Sequence, residues 1–289
     1  MNQYVVVQST GSDADAAVFD LALQVARRGR THLEFVHVSA DVRDVIAAMS
    51  PGLMGDGYGL QRIADEFDQA AQERAQRAEA SVRAFCEREK VLITGDMGAQ
   101  GITAAFRHET GIEANILPRR GRVADLIIAG RGPDPGHEQA ELLGTLLLET
   151  GRPLLLSSAA PAVLSPDGIV AIAWKDAPQA ARAVAAARTF IEAAEHVVIL
   201  TVDEDDDSED SADEGLAQAL KWQAKKVSTV RVNPDGQVPA DALLTAAAKA
   251  GAGLLVMGGY GHTRLREAVF GGVTRRILAH APIPVLIMH

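Results

Sequence analysis

At 289 residues, the chain is long enough for two domains, and its 47% hydrophobic and 23% charged residues are the usual balance of a globular protein. The net charge of −10 at pH 7 argues against nucleic acid and anionic membranes as partners, because both would repel it. No apolar run approaches 18 residues, which argues against a membrane-spanning helix, and the single cysteine excludes an intramolecular disulfide and favours the cytoplasm.

The chain begins with alternating strand and helix patterns. Tyr4–Gln8 is a short apolar run and predicts a strand, Ala14–Arg28 is alanine-rich and predicts a helix, and Leu33–Val38 predicts a second strand. The first ten residues have neither a charged start nor a long apolar stretch, so they do not resemble a signal peptide.

An insertion follows over Asp41–Glu89. It holds a glycine- and methionine-bearing loop, SPGLMGDGYG, and then a polar helix near Gln61–Arg88. The loop is either a lid or a plain surface excursion, and the sequence leaves both open. Cys86 lies beside Phe85 in the helix, where we expect a packing role.

The second half of the chain repeats the first. Apolar strands are predicted at Ala124–Gly130 and Arg152–Ser158 in the first half. The repeated segments of the second half are Ile169–Trp174, Gln179–Ala193, Val197–Val202, Ala252–Gly258 and Ile283–His289. Near-continuous apolar strands alternating with helices predict an α/β fold with a doubly wound parallel sheet in each half, with domains at 1–160 and 161–289.

A strongly acidic run, Asp203–Glu214, interrupts the second half. It has nine carboxylates in twelve residues, which predicts a self-repelling loop that could hold Mg²⁺ loosely. It lacks the ligand spacing and central glycine of an EF-hand, so no specific calcium site is predicted.

The C-terminal stretch carries the strongest functional pattern. A buried strand at Leu254–Met257 leads into a loop with glycines 258, 261 and 271, then a helix from Gly272 to His280 and a final strand at Val285–Met288. Glycines let backbone N–H groups approach an anion, and a helix N-terminus adds unpaired donors, so the unit suits phosphate binding.

This stretch resembles the C-terminal signature of the universal stress protein family, G-x2-G-x9-G-[ST] followed by a helix and a Pro-Val-Leu strand. Gly272 stands where the family has Ser or Thr, and Thr274 fits a further phosphate contact. The resemblance implies a doubly wound, adenine nucleotide alpha hydrolase-like fold. It also implies ATP or AMP, with Mg²⁺, as the ligand in those members that bind one.

The resemblance also implies the remaining site residues of the second half. Asp176, after the strand that ends near Ala173, aligns with an acid that holds ribose hydroxyls, although capping of the next helix is an equal alternative. The backbone of Val202 would meet the adenine edge, and His262 would meet a phosphate or lie in solvent. The full set of cofactor-binding candidates is Ala173, Asp176, Val202, Gly258, Gly261, His262, Gly271, Gly272, Val273 and Thr274.

The equivalent loop of the first half is degenerate. Pro133 replaces the second glycine and cannot donate an N–H, although the pair Gly144 and Thr145 is kept. Thr10 stands where the acid is expected. We therefore expect the first half to be a structural partner. The terminal strands of the two halves would pair to form a pseudo-dimer, and two chains could pair further as a homodimer.

Catalytic motifs are absent from the sequence, which has no G-x-S-x-G, H-E-x-x-H, C-x-x-C or GK[ST] pattern and no metal-ligand spacing of its histidines. The favoured hypothesis is a tandem universal stress protein of the cytoplasm. It would act as a stress-response sensor or interaction module with unknown protein partners, and a nucleotide in the second half would modulate its surface. The alternatives are a stress protein that binds no nucleotide and works by protein contacts, and a slow nucleotide hydrolase of the same fold.

Overall fold

A computed structural model describes residues 2–42, 57–95, 101–131, 137–158, 168–202, 211–259 and 272–289. The chain divides into two compact units, Met1–Ile128 and Ala129–His289. Each unit is an α/β structure, as the alternating strand and helix patterns predict, around a sheet that is parallel in the first unit and mostly parallel in the second.

The first unit has five strands in the order β3-β4-β2-β1-β5, all parallel. Its elements are β1 (Asn2–Gln8), α1 (Asp15–Ala26), β2 (Arg30–Ser39), α2 (Gly57–Glu89), β3 (Leu92–Ile93), β4 (Thr103–Thr110), α3 (Glu113–Gly121) and β5 (Leu126–Ala129, whose last residue belongs to the second unit). The predicted helix in the insertion is confirmed as α2. The loop before it falls largely on residues 43–56, outside the described residues, so the choice between lid and surface excursion stays open.

The core of the first unit joins α1 and α2 to the sheet through aromatic packing. Phe19 of α1 lies 4.8 Å from Phe35 of β2 and 5.4 Å from Phe85 of α2, measured between ring centroids. Cys86 beside Phe85 is buried, and this burial raises the pKa of its thiol to about 11. The thiolate is therefore scarce at neutral pH, which agrees with the packing role expected for Cys86.

The second unit has six strands in the order β6-β11-β10-β7-β8-β9. Its elements are α4 (His137–Glu149), β6 (Leu154–Leu156), β7 (Ile169–Ala173), α5 (Pro178–Ala186), α6 (Arg188–Ala193), β8 (His196–Val202), α7 (Ser211–Leu220), β9 (Val227–Val232), α8 (Pro239–Lys249), β10 (Ala252–Gly258), α9 (Gly272–His280) and β11 (Val285–Met288). The bounds of α9 and β11 are those predicted from the C-terminal glycine pattern, and β10 has the bounds predicted from the sequence repeat.

The terminal strands of the two sequence repeats pair with each other inside the second unit. Within this sheet only the β6–β11 pair is antiparallel among the described pairings, with Val285 opposite Leu156 and Ile287 opposite Leu154. All of these side chains are fully buried. The expected pairing of the terminal strands is therefore confirmed, and it removes two apolar sheet edges from solvent.

Two boundaries differ from the sequence-based expectation. The helix predicted over Gln179–Ala193 is two helices, because Ala187 has a ψ of 4° that lies outside the α-helical range, and Phe190 and Ile191 beyond the break are buried. The acidic run was predicted to be a loop throughout, but its last four residues, Ser211–Glu214, form the first turn of α7. Asp213 and Glu214 stabilise that turn, since carboxylates at a helix N-terminus interact favourably with its dipole.

Among the helices of the described ranges, none combines the length and the apolar character that crossing a bilayer requires. The same residues contain no group of three or more His, Cys, Asp or Glu side chains that could hold a metal ion.

Candidate functional site

The candidate site lies at the carboxyl edge of the second unit's sheet, where the strand order reverses. β7 is flanked by β8 on one side and β10 on the other, with Ala173 opposite Leu200 and Met257. The ends of these three strands therefore meet at one edge, at the position where doubly wound sheets bind ligands. Ala173 and Val202 are the last residues of β7 and β8, and both are half-buried.

Asp176 lies in the turn between β7 and α5, and it is exposed. The residue that caps α5 is Ala177, and no side-chain capping bond to this helix is found among the described residues. The capping alternative for Asp176 is therefore not seen.

Two buried polar atoms lie at the same edge. The indole Nε1 of Trp174, the residue after β7, and the hydroxyl oxygen of Thr201 in β8 have no hydrogen-bond partner among the described residues. The two residues are close in the sheet, because the backbone N–H of Trp174 donates to the carbonyl of Leu200, the residue before Thr201, at 2.9 Å. A buried polar group without a partner costs about 1–3 kcal/mol, so this edge favours a polar ligand.

The glycines of the C-terminal pattern have different surroundings. A Cβ on Gly258 would lie 2.6 Å from the Ala180 nitrogen, so this glycine lets the start of α5 pack against the end of β10. Gly272, the first residue of α9, is exposed, and a Cβ there would meet nothing within 4 Å. Gly261, His262 and Gly271 lie outside the described residues.

The first turn of α9 presents Gly272 and the half-buried Val273, whereas Thr274 is buried at 5% exposure. Arg276, further along α9, makes a bidentate ion pair with Asp241 of α8, at 2.9 and 3.0 Å. Arg276 thus joins two helices.

In the first unit, the loop after β1 is occupied by a carboxylate of the chain itself. Asp15, at the start of α1, is 2% exposed. It accepts hydrogen bonds from the Thr10 and Gly11 amides at 2.8 and 2.9 Å and from the Ser9 and Thr10 hydroxyls at 3.1 and 2.7 Å. Asp15 was not singled out from the sequence, although an acid four to six residues after Ser9, Thr10 and Gly11 is a signal for it; it binds the loop before α1 rather than capping the helix, whose N-cap is Ala14.

In the glycine loop of the first repeat, the described residue Arg131 contributes to packing. Arg131 follows β5 and is 3% exposed. It donates to three carbonyls, those of Ser157 at 2.8 Å, Ile277 at 3.1 Å and Ile283 at 2.9 Å. Burial lowers the pKa of Arg131 to about 10.

The pair Gly144 and Thr145 does not stand at a helix N-terminus, because α4 begins at His137. The Thr145 hydroxyl donates to the Glu141 carbonyl one turn earlier, at 2.9 Å. Gly144 and Thr145 therefore resemble the G-[ST] pair of the family pattern in sequence, but they lie within a helix rather than at its N-terminus. Pro133 lies outside the described residues.

Comparisons with known proteins agree with this architecture. The sequence model of the universal stress protein family matches residues 169–289. A universal stress protein from Archaeoglobus fulgidus DSM 4304 has 15% identity and a TM-score of 0.70, over 99% of this chain and 97% of its own. A putative universal stress protein from Pseudomonas aeruginosa UCBPP-PA14 has 14% identity and a TM-score of 0.59, over 99% of this chain and 92% of its own.

A smaller solved structure, of a universal stress protein in complex with cAMP, has 21% identity and a TM-score of 0.33 over 43% of this chain and 99% of its own. A search of curated proteins finds no match in sequence. In sequence, residues 169–289 match the universal stress protein family, and the whole chain shares its fold with the solved structures from Archaeoglobus fulgidus and Pseudomonas aeruginosa.

Proposed function

We propose that the second half binds an adenine nucleotide, ATP or AMP with Mg²⁺, at the carboxyl edge of β7, β8 and β10. The observation that carries this proposal is the pair of buried polar atoms without partners, Trp174 Nε1 and the Thr201 hydroxyl, beside an exposed Asp176 that does not cap α5. A nucleotide offers hydrogen-bonding groups along its whole length, which suits an edge with unmet donors and acceptors.

The residues at this edge fit such a ligand. The Asp176 carboxylate would accept hydrogen bonds from the ribose hydroxyls, and the backbone of Val202 would bind the adenine edge. The amides of Gly272 and Val273, at the N-terminus of α9, would bind phosphate, because they are among the unpaired donors of that helix. Gly261, His262 and Gly271 belong to the proposed phosphate loop by the family pattern alone.

Gly272 would weaken this site without removing it. The missing hydroxyl removes one hydrogen bond to a charged phosphate, a contribution that corresponds to roughly tenfold to a hundredfold in affinity. The space around a Gly272 Cβ is open, so a serine side chain fits there.

We propose further that the protein works in the cytoplasm as a stress-response interaction module. Nucleotide binding would favour one of two surface states, since a ligand shifts an equilibrium by its differential affinity for them. The chain presents no catalytic motif, so turnover is not part of the proposal.

The test begins with freshly purified protein, which is denatured so that any released nucleotide is identified by mass spectrometry. Titration with Mg·ATP follows on four proteins: wild type, Gly272→Ser, Asp176→Asn and Asp13→Asn. Asp13 is the matched control, because it is exposed in the corresponding turn of the first half. We expect Gly272→Ser to tighten binding roughly tenfold to a hundredfold. Asp176→Asn should weaken it, and Asp13→Asn should leave it unchanged.

The alternatives give different results. Absence of bound nucleotide, together with no binding by wild type or Gly272→Ser, would mean a module that acts through protein contacts alone. Phosphate release that Asp176→Asn abolishes would identify a slow hydrolase instead.

A further inference from the structure

Strand β9 forms a free edge of the second unit's sheet, since it is the last strand in the order of the described residues. The Val197 N–H of β8 donates to the Lys226 carbonyl at 2.8 Å, and Val197 lies opposite Val227. In a parallel pair bonded in this way, every second residue from Lys226 onward bonds to β8. Val227 and Thr229 therefore direct their N–H and C=O groups to the other side, where no described strand lies.

The turn that leads into β9 carries Trp222, the most exposed large hydrophobic side chain among the described residues, with 90% of its surface accessible. The turn is fixed to the core, because the N–H groups of Gln223 and Ala224 donate to the carbonyl of buried Leu220 at 2.9 and 2.8 Å. Exposed tryptophan is uncommon on a surface that contacts only water, and tryptophan is enriched where proteins bind each other. A fixed turn thus presents the indole to solvent, as a binding role requires.

The same segment is basic in an acidic protein. From Lys221 to Arg231 the sequence has four basic residues and no carboxylate, whereas the whole chain has a net charge of −10. Lys221, Lys225 and Lys226 are exposed, and they flank Trp222 in sequence. Charge complementarity therefore favours a negatively charged partner for this surface.

Protection of the edge alone does not account for this combination. Natural proteins place charged side chains on free edge strands to prevent unwanted pairing. An exposed Trp222 does the opposite, because a large apolar side chain beside a free edge promotes association. Lys225 and Lys226 also lie before β9 rather than within it, and Thr229 inside the strand is exposed. The surface therefore attracts one kind of strand and repels basic ones.

We propose that this free edge binds an extended acidic segment of a partner protein, which adds a strand antiparallel to β9. Strand addition uses main-chain hydrogen bonds to outward groups such as those of Val227 and Thr229, and antiparallel pairing is slightly the more stable arrangement. In that orientation, the residues that follow the added strand lie beside Lys225 and Lys226, so the carboxylates belong there. An apolar side chain among them packs on Trp222.

This surface is separate from the proposed nucleotide site. Val227 lies opposite Val197, near the start of β8, whereas nucleotide is proposed at the other end of that strand, at Val202. Partner binding therefore does not depend on the nucleotide proposal, and each can fail without the other.

Fluorescence anisotropy measures the binding of a labelled synthetic peptide, Thr-Val-Thr-Val-Thr-Glu-Glu-Leu-Glu, to the full chain at 50 mM NaCl. We expect a dissociation constant in the micromolar range. Because the Debye length falls from about 14 Å at 50 mM to about 4 Å at 500 mM salt, the affinity should fall roughly tenfold or more over this range.

Two control peptides separate charge from strand pairing. One has glutamine in place of each glutamate and so lacks the charge. The other has proline at its third and fourth positions, which keeps the charge and removes two adjacent N–H groups. Both should bind roughly tenfold more weakly or worse.

Substitutions in the protein test the surface. Trp222→Ala should weaken peptide binding roughly tenfold or more, and so should Lys225→Glu with Lys226→Glu. The matched controls are Val123→Ala and Lys249→Glu, which change an exposed apolar and an exposed basic side chain elsewhere and should leave binding unchanged. Far-ultraviolet circular dichroism checks that each variant keeps its fold.

Amide hydrogen exchange, followed residue by residue by NMR, reports the strand pairing itself. The outward amides of Val227 and Thr229 should exchange roughly tenfold more slowly when the protein is saturated with the peptide. The amides of Ser228 and Val230 face β8 and serve as internal references.

Three results would overturn the proposal. They are the absence of peptide binding at 50 mM NaCl, binding that Trp222→Ala leaves unchanged, and equal binding of the proline peptide with unchanged exchange at Thr229. Other occupants would also overturn it. A chain that binds vesicles of phosphatidylserine and phosphatidylcholine but not the peptide would have a membrane as its partner, and a chain that only self-associates through Trp222 would have a second copy.

Discussion

Two aspartates near the start of the first helix of each half have different surroundings. Asp15 is buried and accepts hydrogen bonds from the amides of Thr10 and Gly11, whereas Asp176 is exposed and does not cap the helix that follows it. The loop amides of the first half are therefore already bonded to a carboxylate of the chain. The Asp15 carboxylate thus takes up loop donors of the first half, in agreement with the proposal that nucleotide binds in the second half.

His37 is a second buried polar residue of the first half, and it gives the protein a pH dependence. Its Nδ1 donates to the Ser9 carbonyl at 2.8 Å, which leaves Nε2 unprotonated and without a partner among the described residues. Burial is the largest cause that lowers its pKa below 6.5, and His108 and Arg74 lower it further, while the bond to Ser9 and Asp15 act in the opposite direction.

We predict that acid destabilises the protein partly through His37. The pKa of His37 is lower in the folded state than its value of 6.5 in the unfolded state. As the pH falls, His37 of the unfolded chain is therefore protonated before His37 of the folded protein. The contribution of His37 to stability is therefore complete above pH 6.5 and is lost as the pH falls below it. Urea unfolding at pH 7.5 and 5.5 measures this loss, and His37→Asn should reduce it by at most about 1.4 kcal/mol, because pH 5.5 lies one pH unit below 6.5.

Exposed His280 provides the control, since His280→Asn should leave the pH dependence as it is. An unchanged loss of stability in His37→Asn would mean that other groups, such as the buried His32, cause it.

At the scale of elements, Arg131 connects four segments of the second unit. It follows β5 and bonds to carbonyls after β6, in α9 and before β11. We predict that Arg131→Met lowers the free energy of unfolding by about 1–3 kcal/mol, because the Ser157 and Ile283 carbonyls lose this donor, whereas the Ile277 carbonyl still accepts the Ala281 N–H. Guanidinium chloride unfolding measures it, with exposed Arg275→Met as control. Equal stability of wild type and Arg131→Met would mean that the cost of burying the guanidinium cancels its bonds.

The elements also show what a sequence can and cannot predict. The apolar runs and glycine spacing predicted β10, α9 and β11 at their observed bounds, because local patterns determine them. The roles of Arg131 and Asp15 were missed. Arg131 bonds to residues 146 and 152 positions away, and no local pattern indicates partners that distant. The break at Ala187 was missed because an alanine-rich stretch has no residue that marks it.

At the scale of the whole molecule, β11 needs a strand from the other repeat. A fragment of residues 161–289 lacks β6 and exposes the apolar edge of Val285–Met288. We predict that this fragment self-associates through β11, whereas the full chain, in which β6 covers β11, does not associate through this edge. Light scattering after size exclusion measures the mass of each. A fragment that stays monomeric would contradict the prediction.

The β6–β11 contact has a consequence for how the protein behaves when it is scarce. In a protein built from two separate copies, strand pairing between them depends on concentration, and dilution separates the copies. Here both strands belong to one polypeptide, so each is held near the other at a high effective concentration whatever the expression level. The pairing therefore survives at a single molecule per cell, and the first half could lose its own ligand site without risk of losing its partner.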